Sequence, residues 1–306
     1  MKIVFLGNFD FPFSTESHHA WTWRKLGHEV IQLQENRSST DQVVAACQGA
    51  QIFQYTHTHG WGTPGSFGLE EMLRRIHGMG VKSFSYHLDL YWGLNTLDKR
   101  EERIGQHPSW KVDTFYSTDG RELPWKSRGV NHVYLPAGVV EYGAHFGQFT
   151  PALASEIGFV GSIGYHPEFP WRTSMVENLR KMYGVQFRTY NGMREETLNN
   201  VYASCKIVVG DHCFSGIPRY ASDRLFETVG RGGFIIYPRT EGVTDQIPGL
   251  ATYEPQNMVS LYNEIAYFIN HEQERVERRN KAHEWVKNNA TYTHRLKFIL
   301  DNLGFS

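Results

Sequence analysis

Disulfides are the first thing this chain lacks the means to use. It has three cysteines, Cys47, Cys205 and Cys213, an odd number at spacings that match no zinc or redox motif. That excludes a disulfide scaffold and points to a reducing compartment with buried thiols. Long apolar runs are missing too: none reaches the ~18 residues of a membrane helix. The opening "MKIVFLGNF" is too short for a signal peptide and carries no cleavage site. The expectation is a soluble, cytoplasmic protein, in the host cytoplasm if it is phage-encoded. Charge of one sign is also lacking. The formal net charge is −1, with 14 Lys+Arg against 15 Asp+Glu in residues 1–150 and 17 of each in the remainder. Nothing in that balance announces a polyanion binder, although a neutral total can hide local basic patches.

What is present is a globular composition, 40% apolar and 21% charged, in a length at which single cores divide. Short apolar runs alternate with helical patterns. "KIVFLGN", "HEVIQLQ", "AQIFQYTH", "VKSFSYHLD", "VDTFYSTD" and "NHVYLPAG" read as strands, with helices from about Thr15 to Leu26, at "TDQVVAACQ" and from about Phe67 to His77. A connector, "YGAHFGQFTPALASE", precedes a second series, "IGFVGSIG", "VQFRTYN", "CKIVVGD" and "GGFIIYP", each followed by a helix. Strands alternating with helices predict parallel sheets covered on both faces. The fold class is α/β, with two doubly wound, Rossmann-like domains facing across a cleft. They are expected at 1–148 and 149–285, with 286–306 as a C-terminal helix packing back on the first. Ligands of such sheets lie beyond the carboxyl ends of the strands.

Those ends therefore hold the candidates. The first domain offers Asn8, Asp10 and Glu16, then His57, His59 and Trp61, then His87 and Asp89. The second offers Gly161, Ser162, Gly164 and Arg172, then Tyr190 and Asn191, then Asp211 and His212. Most have plain explanations. "GSIG" makes a tight turn and lacks the G-x-G-x-x-G spacing of a dinucleotide site. His57 and His59 form a metal corner only with a third ligand, and none is near in sequence; caps on backbone are the alternative, and no metal is expected. Asp89 serves equally as a helix cap.

The stretch "ASDRLFETVGRGGFIIYP" is harder to explain away. Arg224 falls in a first helical turn, where the helix dipole opposes a cation. Glu227 follows at i+3, in the poorer order for an ion pair. An anion at that helix start explains the arginine, because backbone N–H groups and a guanidinium converge on it. A carboxylate one turn on can accept hydrogen bonds from vicinal hydroxyls. Diphosphate and ribose together are a nucleotide.

With these residues in place, the chain resembles GT-B glycosyltransferases. "DRLFETVGRGGFIIYPRTEG" is similar to the spore-maturation type, and four segments resemble phage DNA β-glucosyltransferases: "STESHHAWTWRKLGHEV", "FSYHLDLYWG", "GSIGYHPEFPWR" and "VVGDHCFSGIPRYASDRLFETVGRGG". The resemblance implies Asp89 as general base and Glu16 beside the transferred sugar. It implies Gly161, Ser162, Arg172 and Arg224 on the donor diphosphate, Glu227 on the ribose, and Tyr190 and Asn191 at the base. One arginine of that family, close after the Gly-Ser, has no counterpart here. Retaining enzymes carry a second glutamate eight positions before the first; Arg219 stands there, which favours inversion. No cofactor is implied beyond the co-substrate, a UDP-sugar.

For the acceptor, the first domain's strand ends carry His18, His19, Trp21, His57, His59, Trp61, His87, Tyr91 and Trp92. They suit a sugar, a peptide or an extruded base, and the resemblance makes 5-hydroxymethylcytosine in phage-type DNA the favoured acceptor, with DNA as a partner beside the nucleotide sugar. Lys99, Arg100, Arg103, Lys111, Arg121, Lys126 and Arg128 could neutralise a DNA backbone, or form an ordinary solvated face. The alternatives are a transferase acting on protein or surface polysaccharide, a sugar-nucleotide epimerase, and a nucleotide binder without activity. No membrane and no obligate protein partner is expected.

Overall fold

The computed structural model describes residues 1–56, 66–88, 104–105, 108–164 and 169–305. Two compact units account for them: Met1–Pro136 with Tyr292–Ser306, and Ala137–Thr291. Residues 137–148, expected to end the first domain, are part of the second unit.

In the first unit the strands are β1 (Lys2–Gly7), β2 (Glu29–Gln34), β3 (Ile52–Tyr55), β4 (Lys82–His87), β5 (Thr114–Ser117) and β6 (His132–Tyr134). They form one parallel sheet in the order β2-β1-β3-β4-β5-β6. Residues Ile3 to Leu6 are wholly buried because both faces of β1 are covered. Val4 and Leu6 pack with Val43 of α2 (Thr40–Ala46) and with Leu69, Met72 and Ile76 of α3 (Ser66–Gly78). Ile3, on the opposite face, packs with Trp23 of α1 (Thr15–Lys25) and with three residues from the end of the chain, Leu296, Ile299 and Leu300. Ser14 caps α1 by accepting from the Ser17 N–H at 3.1 Å, which fixes the turn that delivers Glu16.

The second unit holds β7 (Ser155–Val160), β8 (Phe187–Tyr190), β9 (Cys205–Val209), β10 (Ile235–Pro238) and β11 (Ala251–Tyr253), all parallel, in the order β11-β10-β9-β7-β8. The helices between are, after the short α4 (Leu123–Lys126) of the first unit, α5 (Trp171–Tyr183), α6 (Glu195–Ser204), α7 (Asp223–Gly230), α8 (Met258–Asn270) and α9 (Glu272–Asn289). Ile157, Phe159, Ile207, Val209 and Ile236 fill the core against α5 and α8. The last helix, α10 (Tyr292–Leu303), returns to the first unit, where the Tyr116 hydroxyl donates to Asn302 Oδ1 at 2.6 Å. Among the described residues no helix is long and apolar enough to cross a membrane.

Strand order locates the sites. Successive connections leave in opposite directions at β1/β3 in the first sheet and at β7/β9 in the second. A crevice for ligands opens at such a switch point, beyond the carboxyl ends of the two strands.

Candidate functional site

At the β7/β9 switch point the residues after β7 and β9 meet two arginines. Asp211, two residues beyond β9 and 1% exposed, lies between them. Arg172, from the first turn of α5, donates from Nε to Asp211 Oδ2 at 2.7 Å and from Nη1 to the Ser162 carbonyl at 3.1 Å. Arg224, from the first turn of α7, donates from Nη1 to the other carboxylate oxygen, Oδ1, and from Nε to the Val160 carbonyl at 2.9 Å. Its guanidinium covers the Phe159 ring at 4.9 Å. Burial opposes the charge on Arg172, but the Asp211 carboxylate outweighs it and the guanidinium pKa is raised. Two arginines and one aspartate leave this cluster with one net positive charge.

Its unspent donor is well placed. Among the described residues Arg224 Nη2 donates no hydrogen bond, and it faces Gly161, where a Cβ would sit 2.7 Å away. Gly161 has φ +131°, so glycine is required there for conformation as well as for space. Its N–H donates to the Tyr190 carbonyl at 2.8 Å, which ties the loop to the end of β8. Helix α7 begins without a side-chain cap: Ser222 Oγ donates instead to the Asp211 carbonyl at 3.2 Å. Asp223, in the same first turn, accepts from the Arg224 backbone N–H, so what this helix start offers an anion is the Arg224 side chain. A cavity of about 560 Å³ adjoins the cluster, walled by Ile163, Trp171, Arg172, Asp211, His212 and Gln256. A cavity of about 590 Å³ opens at the opposite end of the sheet, where Ser155 and Cys205 begin β7 and β9, away from these loops.

Several sequence expectations change here. Glu227, expected to face only a ribose, has a protein partner: its Oε2 accepts from Arg231 Nε at 2.5 Å, one helical turn on. Tyr190 is not a platform for a base. Its ring is buried, and its hydroxyl donates to the Leu153 carbonyl at 2.6 Å, inside the unit. Asn191 is exposed beside it and accepts from Ser162 Oγ at 3.4 Å, so these two expected contacts lie together. Asp211, which sequence reasoning noted only as a strand-end residue, is the group that organises the arginines.

In the first unit Glu16 is buried in the first turn of α1, after β1, and His87 is the buried last residue of β4. His19 is a core residue and no part of an acceptor wall. It stacks on Tyr86 at 5.1 Å, and burial, with the adjacent His18, lowers its pKa to about 3. Lys111 is paired with Glu70, and Arg121 donates to the buried Asp119 at 3.0 Å. His57, His59, Trp61, Asp89, Tyr91, Trp92, Lys99, Arg100 and Arg103 lie outside the described residues.

Comparison with known proteins shows what the chain is similar to. Residues 163–301 match the model of a family described as glycosyl transferase-like. No curated protein sequence matches the chain. Three solved structures align over 99% of this chain and 99% of their own: HepE of Anabaena in complex with UDP and glucose, with a TM-score of 0.67 at 9% identity; OtsA in its apo form, 0.69 at 10%; and the sucrose-phosphate synthase of Thermosynechococcus elongatus, 0.64 at 10%. The fold of these three structures is the fold of this chain, and residues 163–301 carry its likeness to the glycosyl transferase-like family.

Proposed function

We propose that the second unit binds a UDP-sugar and that the enzyme transfers its sugar to a hydroxyl acceptor. The observation that carries this is the unspent Arg224 Nη2 facing Gly161, beside the uncapped start of α7. A diphosphate there would take that donor and the remaining donors of Arg172. Its developing negative charge on departure would meet fixed dipoles, with no reorganisation needed at the moment of reaction. HepE has been solved with UDP and with UDP-glucose, which supports uracil as the base. The motif resemblance assigns Glu227 to the ribose, Asn191 and Ser162 to the base and phosphates, and Glu16 to the transferred sugar. Asp89 is assigned as the base that removes the acceptor proton as the oxygen attacks the anomeric carbon. Unlike a glycosidase, such an enzyme needs no acid on the leaving group, because the diphosphate leaves readily. Arg219, in place of a glutamate, supports inversion.

For the acceptor a carbohydrate hydroxyl is favoured. Lys111 and Arg121 are occupied by carboxylates, which weakens the case for a DNA backbone site. 5-Hydroxymethylcytosine in DNA rests on the motif resemblance alone. One assay separates the readings: protein, a panel of nucleotide sugars, and either mixed oligosaccharides or duplex DNA containing 5-hydroxymethylcytosine, followed by mass spectrometry of sugars and nucleosides. An oligosaccharide heavier by one sugar supports the favoured acceptor, and a heavier cytidine replaces it with DNA. Epimerised donor with no transfer would sink the transferase assignment.

A further inference from the structure

The arginine of "GRGG" has no role in the reading above, yet it is among the most thoroughly buried charges in the second unit. Arg231 is 2% exposed and directly follows α7. Its Nε donates to Glu227 Oε2 at 2.5 Å and its Nη1 to Asn199 Oδ1 at 2.6 Å. Asn199, fully buried in α6, donates in turn to the carbonyls of Gly143 at 3.1 Å and His145 at 3.0 Å. Gly143 closes over the guanidinium: a Cβ there would lie 2.7 Å from Nη1. The arginine is thus held on three sides, by a carboxylate, an amide and a backbone lid.

Holding Glu227 by one oxygen leaves the other. Among the described residues Oε1 accepts no hydrogen bond, and the Glu227 side chain is 17% exposed while its partner is enclosed. A glutamate side chain has three torsions, and an exposed one samples many rotamers. Here the Arg231 Nε, its guanidinium held in turn by Nη1 on Asn199, anchors one carboxylate oxygen and restricts those rotamers, and the Glu-before-Arg order at i, i+4 is the favourable one. The pair also keeps a second acidic group out of simple repulsion with the donor's phosphates, since its charge is already balanced.

We infer that Arg231 is a positioning residue that aims Glu227 at the ribose hydroxyls and so makes the site selective for ribonucleoside over deoxyribonucleoside diphosphate donors. This rests on the donor assignment of the second unit. It concerns orientation, so it separates from fold stability in one measurement: the ratio of affinities for UDP and 2′,3′-dideoxy-UDP.

The experiment is isothermal titration of both nucleotides into the full chain, wild type and Arg231→Lys, with Arg224→Ala as a control. A hydrogen-bonded carboxylate gives the wild type a preference for UDP of about 10- to 100-fold. Lysine keeps the charge but cannot fork between Glu227 and Asn199, so the preference should fall to about threefold or less. Affinity for 2′,3′-dideoxy-UDP should stay within about twofold, because the diphosphate contacts are elsewhere. An unchanged ratio in folded Arg231→Lys overturns the inference, and so does equal weakening of both nucleotides. If Arg231→Lys does not fold, Arg231→Gln is read by the same ratio, since its amide can donate to only one partner at a time. Wild type that binds neither nucleotide, or binds both independently of Arg224, overturns the donor assignment and this inference with it.

Discussion

Asp211 carries more consequence than any other single residue in the candidate site. It is buried and satisfies two guanidiniums, one on each carboxylate oxygen. Asp211→Asn removes the charge while nearly keeping the shape, leaving two part-buried arginines facing each other. Breaking such a pair costs about 3 kcal/mol or more, readable as a shift in the urea midpoint at constant slope. A change below about 0.5 kcal/mol would show that solvent, and not Asp211, balances the arginines. Arg224→Ala is expected to act on turnover, lowering kcat by about 10²- to 10³-fold because it removes a donor to the departing diphosphate. If donor turnover survives that substitution, the diphosphate lies elsewhere. What the sequence disclosed of this cluster follows from distance along the chain. Arg172 and Arg224 were legible because helix starts after strands are anion sites. Their partner was not, since Asp211 lies 39 and 13 residues away and only the fold joins them. Arg231 was in plain view at i+4 from Glu227, but attention to the i+3 neighbour hid it. Tyr190 misled for a related reason: an aromatic at a strand end looks like an open platform until the Leu153–Ser155 segment covers it.

At the scale of elements, periodicity did most of what it can do. The strand runs and the helices between them are where the apolar pattern puts them, and the helix expected from about Thr15 to Leu26 spans Thr15–Lys25. What pattern cannot supply is the partner of each face. A C-terminal helix against the first domain is expected from the sequence, but the pattern cannot name the contact, in which Leu296, Ile299 and Leu300 of α10 close the face of the first sheet holding Ile3, Phe84 and Tyr116. Leu296 is wholly buried, so Leu296→Ala should cost about 2–5 kcal/mol in the first unit. The UDP affinity of the second unit should be unchanged, because none of its proposed ligands lies on that helix. A parallel loss of UDP binding under folded conditions would show that the two are energetically linked.

For the molecule as a whole, acid is the condition to which the buried histidines respond. Burial lowers the pKa of His28 and His283, and each unit holds one histidine that it depresses far, His19 to about 3 and His212 to about 4. An unfolded chain protonates histidine near its ordinary value, while these two stay neutral when folded. Their contribution to stability is therefore complete above about pH 6.5 and is lost as pH falls toward 3–4. Between pH 7 and pH 4.5 His19 alone should remove roughly 2–3 kcal/mol. Urea unfolding at the two pH values measures this, and His19→Asn should flatten the dependence. An equal slope in that variant would mean that other groups govern acid sensitivity.

The chain leaves the first unit after Pro136 and returns at Tyr292, and the two passing segments pair through the Val139 N–H and the Ala290 carbonyl at 3.1 Å. The second unit is thus an insertion within the first. During synthesis it can be complete on the ribosome while the first sheet still waits, with Ile3, Trp23 and Tyr116 uncovered, for the last residues to emerge. The half that is translated first is closed last, and for that interval its apolar face stands uncovered.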